Sequence, residues 1–90
     1  MLVTYDPGKR DLTLRRRGLD FAEAAAVFAG RHATIVDDRR DYGEPRLITA
    51  GWLRGRMVVL VWTPRGVARR IISMRYAHAK EKRRWKKFLG

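Results

Sequence analysis

Glu44, Arg65 and Arg75 stand at the boundaries of extended runs, Lys9 lies near the start of a helical one, and His78 comes three residues after Arg75. A carboxylate can take up a proton, and a guanidinium grips two anionic oxygens through parallel N–H bonds. Imidazole is the side chain whose charge changes near neutral pH. Cleavage of a phosphodiester beside a 2′-hydroxyl needs these parts and no metal. A base takes the hydroxyl proton, cations hold the extra charge of the phosphorane, and a donor protonates the departing 5′-oxygen. Glu44 is the candidate base, Arg65 and Arg75 are candidate phosphate clamps, and Lys9 is a possible second cation. Arg69 could add a phosphate contact, and Tyr76, beside Arg75, could stack on a base. Structural ion pairs and sheet-edge packing use the same residue types. On types alone, non-catalytic RNA or DNA binding therefore leads and catalysis follows.

Other chemistries find few parts. The chain has no cysteine and only two histidines, His32 and His78, whereas a closed zinc site takes four nitrogen or sulfur ligands, so no metal site is expected. Neither a GxGxxG nor a GxxxxGK[ST] phosphate loop occurs, and no other cofactor is implied. No GxSxG elbow occurs either, and Ser73 is the one serine, set between strand arginines. Lysine and arginine number 21 against 9 aspartates and glutamates, a formal net charge of +12. Solubility would be served by balanced charge, so this excess points to a polyanion, nucleic acid first. No apolar run approaches the roughly 20 residues that span a bilayer, and the first residues lack the layout of a secretory signal. No membrane partner is expected, and the cytoplasm is the default location.

Three consecutive strands must position these groups. Residues 47–53 are extended and mixed, Arg54-Gly55 supplies a turn, and 57–63 are almost continuously apolar, as a strand covered on both faces would be. Pro64-Arg65-Gly66 is the next turn. In 67–75, strict alternation puts Arg69, Ile71, Ser73 and Arg75 on one face and Arg70, Ile72 and Met74 on the other. Upstream, residues 1–5 read as an outer strand. A helix from Pro7 to about Arg17 is capped by Asp6 and stopped by Gly18. Asp20 and Glu23 have the spacing of a capping box for a second helix, striped by Phe21, Ala24, Ala25 and Phe28 and ended by Gly30. A short strand at 33–36 follows. The last helix, about 77–88, faces the sheet through Ala77, Trp85 and Phe88 and is otherwise basic. The sum is one small α+β domain over 1–90, an antiparallel meander with helices on one face, in the order β-α-α-β-β-β-β-α.

The succession Asp6-Pro7-x-Lys9, Gly18, Phe21-x-Glu23-Ala24, Val27-Phe28, Gly43-Glu44-x-Arg46, Gly51, Gly55-Arg56, Thr63-x-Arg65, Arg70-Ile71-Ile72-Ser73-x-Arg75, Ala77 and Glu81 resembles the BrnT family. These are ribonuclease toxins of type II toxin–antitoxin modules. The resemblance implies a RelE-like fold, an endoribonuclease that halts translation, and a cognate BrnA-type antitoxin through which the pair reaches operator DNA. It puts Lys9, Glu44, Arg46, Arg65 and Arg75 at motif positions, and Arg46, Arg69, Tyr76 and His78 are assigned to RNA binding. Three positions, in two helices, depart from the family pattern. Its usual Asn and His in the first helix are Thr13 and Arg17 here, and its usual tyrosine in the last helix is Trp85, which has no phenolic proton to give. The expected function is metal-independent RNA cleavage, with the antitoxin covering a basic sheet face. The rival is a nucleic-acid-binding or antitoxin-interacting module without catalysis.

Overall fold

The computed structural model describes residues 1–89. Strand β1 (Leu2–Tyr5) leads into helix α1 (Pro7–Arg17), and a single 3₁₀ turn (Phe21–Glu23) leads into helix α2 (Ala24–Ala29). Strands β2 (His32–Val36), β3 (Leu47–Leu53), β4 (Arg56–Arg65) and β5 (Ala68–Tyr76) follow, and helix α3 (Ala79–Leu89) closes the order. The domain is the expected α+β fold with the expected succession of elements.

Local signals explain most boundaries. The Asp6 carboxylate accepts the Lys9 N–H at 2.9 Å, Pro7 takes the first turn, and Gly18 ends α1 at φ 69. Asp20 accepts the Ala22 N–H at 2.9 Å. Glu23 does not complete a capping box with it, because the Glu23 carboxylate instead pairs with Arg54 at the β3–β4 turn. Arg54 and Gly55 both have positive φ, 49 and 79, the two-residue hairpin turn whose twist matches its strands.

The sheet runs β1-β5-β4-β3-β2. β2, β3, β4 and β5 form the antiparallel meander, while β1 pairs parallel with β5 at the far edge, making the sheet mixed. Its helices also divide between two faces rather than sharing one. Val58, Leu60 and Trp62 of β4 join Leu19, Phe21, Ala24, Val27 and Phe28 in one core under α2. Met57 and Val59 join Ala50, Ala77, Trp85 and Leu89 in a second core under α3. That double cover is why β4 is apolar at nearly every position. Phe88, expected to face the sheet, is 68% exposed, and Leu89 fills its place. Leu89 stands four residues after Trp85 on the same helix face.

Two departures in β4 and β5 matter for the site. β4 continues through Pro64 to Arg65, which pairs with Ala68. The β3 ladder ends at Leu47–Trp62, so β4 is an edge beyond that point and tolerates proline. In β5 the register shifts between Val61–Ser73 and Trp62–Ile71, leaving Ile72 as a bulge. The bulge breaks the alternation, and Arg69 and Arg75 therefore lie on opposite faces.

Candidate functional site

Arg75 pairs with Val59, on the α3 side of the sheet. Its Nη1 and Nη2 donate to the two carboxylate oxygens of Glu81 at 2.6 and 2.7 Å. Glu81 also accepts the backbone N–H of His78 at 2.9 Å, the reach-back of a helix's third residue to its cap. One carboxylate thus starts α3 and fixes a guanidinium. The Arg75 hydrogen bonds dominate and, despite burial, pull the Glu81 carboxyl down to about 2. The same pairing raises the Arg75 guanidinium, so it remains a permanent cation.

Arg75 and Glu81 edge a cavity of about 310 Å³ between β2 and α3. Ile48, Val59, Val61 and Trp85 make its apolar lining, and Asp37, Arg39 and Arg84 share its charged rim. Asp37 is buried and accepts from Arg39 Nε at 2.7 Å, Arg39 Nη2 at 2.8 Å and the Tyr42 hydroxyl at 3.1 Å. The Arg39 bonds hold the Asp37 carboxyl down at about 2. Arg39 itself is well exposed. The rim therefore offers two guanidiniums, those of Arg75 and Arg39, whose direction is set by carboxylates behind them, which suits an anionic group with apolar matter beside it.

A second cluster lies past the end of β3. Glu44 accepts from Arg65 Nη2 at 3.0 Å and stands 3.6 Å from Arg46 Nε. The Arg46 guanidinium covers the Tyr42 ring at 4.1 Å from its centroid, and Tyr42 leads back to Asp37. Arg65 stands six positions along β4 from Val59, the partner of Arg75, about 20 Å at the usual rise per residue. Glu44, Arg46 and Arg65 are brought together, and so are Arg75 and His78. The two groups do not share one phosphate.

The remaining candidates lie elsewhere. Lys9 lines a shallow groove with Thr13, Arg16 and Arg17 on the α1 side. Arg17 donates to the Met74 carbonyl at 3.0 Å, tying α1 to β5. Arg69 packs its guanidinium over Phe28 and Trp62, 4.4 and 4.7 Å from their centroids, so it serves the first core. Tyr76 carries Arg56 over its ring at 3.6 Å. Among the described residues no three His, Cys, Asp or Glu side chains are grouped to hold a metal ion.

Sequence reasoning missed Glu81 as a partner of Arg75, and the contributions of Asp37, Arg39 and Arg84. His78 and Glu81 do have capping-box spacing, a signal that could have fixed the start of α3 and the direction of Glu81. Asp37 and Arg39 lie in a polar connection with no such signal.

Fold and site together define a small basic α+β domain with an arginine-rimmed cavity against its sheet. Residues 5–81 match the model of the family described as the ribonuclease toxin BrnT of type II toxin–antitoxin systems, and the chain belongs to that family. No curated protein matches the chain.

Proposed function

We propose that this chain is the toxin of a type II module and cleaves RNA internally, without a metal, at the Arg75 cavity. The observation that carries this reading is Arg75, locked by Glu81 at a cavity whose rim also bears Arg39 and Arg84. In the reaction the 2′-oxygen attacks phosphorus, the P–O5′ bond breaks, and a 2′,3′-cyclic phosphate and a 5′-hydroxyl result. Arg75 holds the phosphorane charge, helped by Arg39 and Arg84. Glu81 is a positioning residue, since a carboxyl held near 2 and bonded through both oxygens is a poor base. His78, exposed at the cap of α3 three residues after Arg75, is the group assigned to take the 2′-hydroxyl proton and return one to the departing 5′-oxygen. Glu44, Arg46 and Arg65 bind the RNA strand further along, and Lys9 stands outside the reacting centre.

Cleavage halts translation in the cytoplasm until a cognate BrnA-type antitoxin covers the basic surface, and the pair meets operator DNA through the antitoxin alone. A second reading, a binding module without catalysis, draws on Arg17 and Trp85. One ties α1 to β5 and the other is buried under α3, so neither supplies the proton chemistry of the family's usual residues. The test is incubation of purified chain with RNA in excess chelator, followed by end mapping. Cyclic phosphate and 5′-hydroxyl ends are expected. Intact RNA beside a folded protein that binds it would favour the second reading.

A further inference from the structure

Helix α3 carries Lys80, Arg83, Arg84 and Lys87 at positions i, i+3, i+4 and i+7, one face over two turns. The four line an open groove of about 450 Å³, and Arg84 also lines the Arg75 cavity. All four are exposed, and among the described residues none of them forms an ion pair. The one acid on the helix, Glu81, is turned to Arg75. Four like charges at this spacing repel one another and weaken the helix. A ligand that neutralises them relieves that repulsion.

We propose that this stripe is a track for the backbone of single-stranded RNA, continuing from the Arg75 cavity through Arg84. The proposal rests on the ribonuclease reading and adds a subsite to it. The chemistry of the groove selects this occupant. Lys80, Arg83, Arg84 and Lys87 line it, four cations that a phosphate backbone neutralises without needing an apolar anchor. The stripe spans about 10 Å along the helix, enough to follow a strand rather than one isolated anion. The family match ends at Glu81, so Arg83, Arg84 and Lys87 lie outside the matched segment.

The test is the salt dependence of binding to a fluorescein-labelled, 2′-O-methylated RNA of mixed sequence, which cannot be cleaved because its attacking hydroxyl is blocked. Wild type is compared with Lys80→Gln/Arg83→Gln/Lys87→Gln and with Arg15→Gln/Lys82→Gln/Lys86→Gln, which removes equal charge from exposed positions off the groove. Each lost phosphate contact lowers the slope of log K against log salt by about 0.7, so the groove triple should lose about 2 in slope and on the order of 100-fold in affinity at about 0.1 M salt. The off-groove triple should lose less than a third of that slope. Equal losses in both triples would overturn the track, leaving an effect of net charge. So would an unchanged slope in a groove triple that no longer binds purified antitoxin, which would make the stripe a protein-docking surface. If wild type cleaves RNA and the groove triple keeps its slope, the track alone falls. If folded wild type neither binds nor cleaves RNA, the ribonuclease reading falls with it.

Discussion

Arg75 and Glu81 meet through two parallel hydrogen bonds of 2.6 and 2.7 Å, joining the last turn of sheet to the first turn of the last helix. Sheet and helix would otherwise meet here through apolar packing alone, which does not set the direction of a guanidinium. Removing Glu81 should therefore do two things. Glu81→Ala loses a cap contact and an ion pair and should cost about 1–2 kcal/mol, read by denaturant unfolding. It should also lower kcat for RNA cleavage more than it raises KM, because Arg75 stays charged but is no longer held in place. A purely structural Glu81 would move the unfolding midpoint and leave kcat alone.

Acid should remove this support in a defined window. Glu81 is lowered from 4.5 to about 2 and Asp37 from 3.8 to about 2, chiefly by hydrogen bonds from Arg75 and Arg39 respectively. Both folded-state values lie below the unfolded ones, so the contribution is complete above about pH 4.5 and lost as pH falls towards 2. Thermal unfolding followed by circular dichroism should show a flat midpoint from pH 7 to 5 and a steep decline below 4. In Glu81→Gln that decline should be shallower.

Gly51 is a test of how tightly α2 sits on the sheet. A Cβ there would lie 2.6 Å from Val27 Cγ1 and 3.3 Å from the Arg31 carbonyl oxygen. Gly51→Ala should destabilise the fold by about 1–3 kcal/mol through overpacking. A stability equal to wild type would mean that α2 approaches β3 less closely than described.

The antitoxin complex should weaken as salt rises, since the chain carries a net charge of +12 and the proposed contact is electrostatic. Equal affinity at low and high ionic strength would instead point to an apolar interface.

Much of this was legible in the residues because local signals and pattern agreed. Asp6-Pro7, Gly18 and Arg54-Gly55 mark element ends by backbone chemistry, and the apolar run of β4 reports burial on both faces. The sharing of helices between those faces was not legible, since an amphipathic stripe says that a helix packs but not on which side. The bulge at Ile72 is likewise silent: one residue beyond strict alternation separates Arg69 from Arg75 without leaving a mark in composition. Among the site residues, Glu44 and Arg65, expected as base and phosphate clamp, form an ion pair with each other. The Arg69 guanidinium, expected to contact RNA, lies over Phe28 and Trp62, since guanidinium stacks on aromatic rings as readily as it binds phosphate. Asp37 could not be found by pattern, since its burial depends on Arg39 and Tyr42 folding back over it.

The most direct measurement is RNA cleavage under chelator by wild type, Arg75→Ala, Arg75→Lys and Arg65→Ala. Arg75→Ala should lose on the order of 100-fold or more in kcat, the scale of removing one group that stabilises transition-state charge. Arg75→Lys should recover little, because an ammonium cannot keep the paired geometry with Glu81. Arg65→Ala should raise KM several-fold with a smaller change in kcat, as expected of a residue that holds the strand away from the scissile bond. Near-normal cleavage by Arg75→Ala, with activity abolished in Arg65→Ala, would contradict the assignment and move the reaction to the Glu44 cluster.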